Sequence, residues 1–329
     1  MPSHFGGKYI ISTTLSGPNP CWVRPKGWKG WIDTFSFYSG EPLSKTMTTP
    51  DIMSVEQLIA LLRVQANHVY GSGDTRCELF LPPSPSAALL PVPVVIAIHG
   101  GCWRAAYDMG HLSPFCAALA GAGFAVWSLE YRRVGNGGGW PTTFLDVGTG
   151  ADRLREVAIE HNLDLKRVVA LGHSAGGQLA LWLGARHQFD PTHALYQPDP
   201  LRLSGIVGLA AIVDCADTFA LDICTGNAAN LLGGMPHEVP ERYAAASPTQ
   251  LLPLGTRSTL LCGRYDDTVP VAHTEVFYHR ARAFGDDVRW QVIEDIGHYE
   301  LGAPDTRAWP HVLAAVQAMA DIRSIYKLI

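Results

Sequence analysis

The sequence predicts an α/β fold, a mostly parallel central sheet with helices on both faces and a small cap, and three observations predict it. Short apolar runs alternate with helical segments from Arg76 onward, the pattern of a sheet whose strands are joined by crossover helices. At 329 residues and 47% hydrophobic composition the chain can bury a large core. The motifs able to do chemistry follow the apolar runs, and parallel sheets gather their sites at the carboxyl ends of strands.

Residues 1 to about 50 read as an irregular arm, in which Trp22, Trp28, Trp31, Phe35, Phe37 and Tyr38 are interleaved with glycine, proline and lysine without either period. The arm is expected to lie over the body or across a homodimer interface. Ser54-Val55-Glu56-Gln57 is a capping box, and Val55, Leu58, Ile59, Leu61 and Leu62 mark the apolar side of a helix running to about Asn67. Strands are expected at Cys77 to Leu81, Val94 to His99, Phe124 to Leu129, Val168 to Leu171, Gly205 to Ile212, Ser258 to Cys262 and Val288 to Ile293. Val147, Ala151, Leu154 and Ala158 fall on one face of a helix between the third and fourth of these. The organisation expected is an arm and helix over 1–70 and a catalytic domain over 71–329. The stretch Asp214 to Leu254 exceeds what a strand-to-helix connection needs and reads as a cap insertion.

Gly172-His173-Ser174-Ala175-Gly176-Gly177 follows one strand and precedes a helix-forming run. That is the context of a nucleophile elbow, with Ser174 exposed at a strained turn among residues too small to block it. His99-Gly100-Gly101-Cys102-Trp103 ends an earlier strand. Its glycines can turn main-chain N–H groups inward, and with the N–H of Ala175 those of Gly101 and Cys102 would form an oxyanion hole. His99 is read as a core histidine that fixes this loop, and Cys102 as a donor-bearing loop residue rather than a nucleophile. After the strand at 258–262 come Asp266 and Asp267, either of which could orient a histidine. His298, in Ile296-Gly297-His298-Tyr299 after the last strand, is the general-base candidate, because His273 and His279 belong to a helical stretch and His311 follows Pro310. Serine, aspartate and histidine then occur in the order found in α/β-hydrolases.

From about Cys77 to the carboxyl terminus the chain resembles the α/β-hydrolase fold. The H-G-G-x-W form, the Gly-His-Ser-Ala-Gly elbow, the G-x-x-D-x-x-V-P aspartate loop and the Gly-His-Tyr loop resemble the arylformamidase (kynurenine formamidase) branch and its neighbouring esterases. The resemblance implies that Gly100 and Gly101 shape the oxyanion hole and that Ser174, Asp266 and His298 form the triad. Glu130 to Gly135 and Gly137 to Pro141 resemble a feature of the microbial esterase-like members. Phe219 of the cap, with Trp103 and Tyr299, is expected to line an acyl or aryl pocket.

The expected function is a serine hydrolase cleaving a small ester or an activated amide such as N-formylkynurenine, with a carboxylesterase as the alternative and a non-catalytic ligand receptor as the rival from another class. No metal or cofactor is implied. A net charge of -5 provides no basic field, so neither nucleic acid nor membrane is an expected partner. The seven cysteines are scattered, without a C-x-x-C pair, and no signal peptide is read at the amino terminus. Reduced thiols and a cytoplasmic location are therefore the expectation.

Overall fold

The computed structural model describes residues 52–59, 65–83 and 90–320, all of which lie in the unit Thr49–Ile329. The expectations for the arm lie outside the described residues. Helix α1 (Val55–Ile59) begins with the expected capping box, since the Ser54 N–H donates to Gln57 Oε1 at 2.7 Å and the Gln57 N–H to Ser54 Oγ at 3.3 Å. The helical pattern does not reach Asn67. There the backbone N–H donates to Leu79 O and the side chain accepts from the Leu81 N–H, so residues 68–70 become an edge strand that the helical reading passed over.

Eight described strands form one sheet: β1 (His68–Tyr70), β2 (Cys77–Phe80), β3 (Val92–Ile98), β4 (Ala125–Leu129), β5 (Leu163–His173), β6 (Gly205–Leu209), β7 (Ser258–Gly263) and β8 (Val288–Ile293). Their order is β1-β2-β4-β3-β5-β6-β7-β8, antiparallel from β1 to β4 and parallel from β4 to β8. The crossovers are α2 (Ser113–Gly121), α3 (Thr142–Asp152) with α4 (Leu154–Val157), α5 (Ala175–Ala185) and, beyond the insertion, α9 (Val271–Ala283). The insertion between β6 and β7 carries α6 (Asp217–Ala220), α7 (Ala228–Leu232) and α8 (Pro240–Ala246), and α10 (Trp309–Ala320) ends the described chain.

Two cores explain why the central strands read as unbroken apolar runs. Val94, Ile96 and Ile98 of β3 join Val168 and Ala170 of β5 on the face covered by α3, α4 and α5. Val95 and Ala97 join Val169 and Leu171 on the face covered by α2 and α10. With both faces buried, each strand residue must be apolar and the polar alternation disappears. Val147, Ala151, Leu154 and Ala158 all sit in the first core, although Arg153 breaks their helix into α3 and α4. Among the described residues no helix is long and apolar enough to cross a membrane.

Candidate active site

Ser174 stands between the end of β5 and the start of α5 with φ 56° and ψ -120°, a backbone state that side-chain-bearing residues rarely adopt. The turn survives because its partners hold it. The Ser174 N–H donates to Leu209 O at 2.8 Å, and its carbonyl accepts from Gly177 and Gln178. The flanking glycines are needed for space: a Cβ on Gly172 would lie 2.0 Å from Gly176 O, and one on Gly176 2.2 Å from Ile98 O.

His298 follows β8 and is brought back over the sheet against β7's loop, where its Nδ1 lies 2.8 Å from Asp266 Oδ2. Asp266 is locked in place, because its other oxygen accepts from the Thr268 N–H at 2.9 Å and the Val269 N–H at 2.7 Å. Asp267 is exposed and, among the described residues, accepts only from the Thr268 hydroxyl, so the structure puts Asp266, not its neighbour, against the imidazole. The loop of His298 is anchored in turn by His173, whose Nε2 donates to His298 O at 2.9 Å and whose ring lies 4.6 Å from the His298 ring. Burial, reinforced by the nearby His298, pushes the His173 pKa well below the usual imidazole range and keeps it neutral.

The loop Gly100 to Arg104 faces the elbow. Gly101, Cys102 and Trp103 have φ of 103°, 54° and 55°, and a Cβ on Gly101 would strike the Tyr107 side chain at 2.5 Å. Among the described residues the N–H groups of Gly101, Cys102 and Ala175 donate to no backbone acceptor, which is what a site for a developing oxyanion requires. Beneath the loop His99 is fully buried, stacked on Tyr131, with Nδ1 2.8 Å from Gly100 O and Nε2 3.0 Å from Glu130 Oε1. The Tyr131 hydroxyl donates to His99 O at 2.8 Å, the Met109 N–H donates to Glu130 Oε2, and Arg133 pairs with Glu130 Oε1. Thus Glu130 and Tyr131, which the sequence marked only by resemblance, are the floor of this loop.

Burial acts to raise the Glu130 carboxyl, but the hydrogen bond to His99 and the electrostatic pull of His99 and of the Arg133 guanidinium outweigh it and hold the pKa at about 2. A depressed folded-state pKa contributes stability that is present above the ordinary value of 4.5 and fades as the pH falls toward 2. Glu130→Gln is therefore expected to cost about 3 kcal/mol at pH 7, because it removes the nearer of the two carboxylates paired with the buried Arg133 and leaves only Asp74, at 3.7 Å. Urea midpoints compared at pH 7 and pH 3 should show the two proteins converging at the lower pH; a constant gap would remove the charge as its cause.

A cavity of about 70 Å³ lies beside Ser174, walled by Gly101, Cys102, Tyr107, His111, His173, His298 and Tyr299 and by Val55, Leu58 and Ile59 of α1. His111 is pushed down to about 4, first by burial and then by its electrostatic interaction with the neighbouring His99, so it meets this space as a neutral ring. Tyr299 lies where the sequence reading expected a pocket residue, its ring 5.0 Å from that of His298. Trp103 does not. It is fully buried, with its indole N–H donating to Gln178 Oε1 at 3.1 Å, because its positive φ turns the side chain into the core. Phe219 packs within the insertion near Gly226 and Tyr243, also off the cavity wall. None of the insertion 214–254 is on that wall; α1 is there instead, fastened by the Met53 N–H donating to Glu300 Oε1 at 2.6 Å. Asp214 caps its own turn by accepting from the Ala216 N–H.

The expectation that every thiol is reduced fails at Cys102 and Cys224, which form a disulfide across 122 residues of sequence. No spacing rule could pair them, since they meet only when the insertion folds over the loop after β3. Cys77, Cys116, Cys215 and Cys262 are free and buried.

A family model, BD-FAE, matches residues 77–281, more than half of the chain. The chain belongs to the BD-FAE family. A comparison with curated protein sequences returned no match. Among solved structures, this BD-FAE chain is similar to a truncated form of a carbohydrate esterase from gut microbiota (20% identity, 78% of this chain and 95% of that one, TM-score 0.63). It is also similar to an acetyl ester-xyloside bifunctional hydrolase from Caldicellulosiruptor lactoaceticus (23% identity, 76% and 88%, TM-score 0.60). A third similar structure is esterase B from Lactobacillus rhamnosis, inhibited by a tributyrin phosphonate (16% identity, 80% and 90%, TM-score 0.67). These likenesses carry the α/β-hydrolase fold, with the mostly parallel sheet and flanking helices described above.

Proposed function

We propose that the protein is a serine esterase for short acyl groups, and the observation that carries the reading is the Asp266–His298 hydrogen bond formed on the wall of the cavity that holds Ser174. With its Nδ1 proton donated to Asp266, His298 keeps Nε2 unprotonated and able to take the Ser174 hydroxyl proton as the oxygen attacks the ester carbonyl. The negative oxygen is held by the N–H groups of Gly101, Cys102 and Ala175. Collapse of the adduct sends the alcohol out with the proton from His298, and water, deprotonated by the same ring, then frees the acyl group from Ser174.

Size supports a short acyl chain. A cavity of about 70 Å³ is far below the roughly 300–1,000 Å³ of sites that engulf a drug-sized ligand. The alcohol must extend outward. The neighbours named as a carbohydrate esterase and an acetyl ester-xyloside hydrolase favour an acetylated sugar as one such substrate. A formyl group is smaller still, and with the H-G-G-x-W resemblance this keeps an aryl formamide as the second reading.

A panel of p-nitrophenyl acetate, butyrate and hexanoate, acetylated xylose and N-formylkynurenine tests the assignment. Turnover is expected to be greatest on acetyl esters; hydrolysis of the formamide alone would transfer the assignment to arylformamidase, and no turnover on any member would remove the esterase reading. Because Leu58 walls the cavity, Leu58→Ala is expected to raise the butyrate-to-acetate ratio of kcat/KM by about 10-fold, the usual scale for a methylene or two in an apolar slot.

A further inference from the structure

The insertion between β6 and β7 gives the cavity no side chain, yet it grips the loop that carries two of the expected oxyanion donors. Cys224 is disulfide-bonded to Cys102, and the Asn227 side-chain amide donates to Cys102 O at 2.6 Å. Two residues on, Arg104 donates to Cys224 O at 3.1 Å and to the Thr225 hydroxyl. Asn227 is itself buried and oriented, since Asn230 donates to its Oδ1 at 2.9 Å. All of these ties converge on residues 102–104, where Cys102 and Trp103 hold left-handed backbone that costs side-chain-bearing residues about 1–3 kcal/mol each. Such a conformation persists only where its surroundings impose it.

We propose that Cys224 and Asn227 are positioning residues for the oxyanion hole, holding the Cys102 peptide in its left-handed state. This rests on the serine-esterase reading. The stereochemistry is direct: three heavy atoms radiate from the Cys102 Cα, and the disulfide pins Cβ while Asn227 pins the carbonyl. The direction of the third, the nitrogen, is then fixed. Of the loop's own bonds, the one from the Arg104 N–H to Gly101 O holds the far side of the peptide plane that carries the Cys102 N–H, and the one from the Val134 N–H to Trp103 O lies beyond it; the disulfide and Asn227 hold the Cys102 Cα and its carbonyl. Because oxyanion donors bind the transition state more strongly than the bound ester, loss of the clamp lowers kcat and leaves KM nearly unchanged.

The test uses the full chain in three states: Cys224→Ser, Asn227→Ala, and wild type reduced with dithiothreitol. Non-reducing peptide mapping should first find the Cys102 and Cys224 peptides linked in wild type. With p-nitrophenyl acetate, each state is expected to lose roughly 10- to 100-fold in kcat, the cost of a misplaced rather than absent donor, with KM within about two-fold and folded circular dichroism at the assay temperature. A phosphonate probe should label Ser174 more slowly by a similar factor, since its adduct is also tetrahedral. An unlinked wild type, or folded states with lowered melting temperature and unchanged kcat, would overturn the clamp. If either variant fails to fold, reduced wild type decides. Wild type inert toward every ester would instead overturn the esterase reading; an active wild type whose three altered states keep its kcat would overturn the clamp alone.

Discussion

Ser174→Ala is expected to lower kcat/KM for p-nitrophenyl acetate by about 10⁴- to 10⁶-fold, leaving only the catalysis that the oxyanion donors and binding supply by themselves. The fold should not register the change. Both backbone groups of Ser174 are held by Leu209, Gly177 and Gln178 whatever the side chain, and alanine is no larger than serine. The unfolding free energy from urea titration is therefore expected to stay within the ±0.5 kcal/mol usual for a substitution that touches no packing. A phosphonate that labels wild type should fail to label Ser174→Ala. Ligand binding with neither turnover nor labelling in wild type would return the protein to the receptor class; activity surviving in Ser174→Ala would assign the nucleophile elsewhere.

What could be read from the sequence, and what could not, separates by the distance over which the cause acts. The central strands and the elbow were legible because their causes are local. Unbroken apolar runs need burial on both faces, and glycines at 172 and 176 leave room for main-chain oxygens about 2 Å from where a Cβ would be. Asp266 could be told from Asp267 only by resemblance, since what separates them is which carboxylate the Thr268 and Val269 amides lock and which one water reaches. The pocket was misread for a related reason. Trp103 and Phe219 are large and apolar near the right motifs, but the side-chain direction at 103 follows from a positive φ that no composition reveals. The wall comes instead from Val55, Leu58 and Ile59, more than a hundred residues before the serine, whose helical pattern said only that one face would be buried. The pairing of Cys102 with Cys224 is the same kind of long-range fact. Disulfides persist in oxidising compartments and are reduced in most cytosols, so this one weighs against the cytoplasmic expectation.

Asp266→Asn is expected to lower kcat by about 10⁴-fold, and the hydrogen bonds around Asp266 say why an isosteric change should be so costly. One carboxylate oxygen accepts from two backbone N–H groups, at Thr268 and Val269. An asparagine must keep its carbonyl oxygen there, because placing the amide nitrogen between two donors would leave three buried groups unpaired. The NH₂ then faces His298 Nδ1, where Oδ2 now lies at 2.8 Å. Facing a donor, Nδ1 can only accept, so the ring proton moves to Nε2 and the nitrogen that should receive the serine proton already carries one. Asp267→Asn meets no such constraint, since its carboxylate is exposed and, among the described residues, bonded only to a neighbouring hydroxyl, and its kcat is expected to stay within about two-fold of wild type. Steady-state kinetics on both variants check the pair. Equal losses would mean that the local charge, not the tautomer of His298, is what the loop after β7 provides.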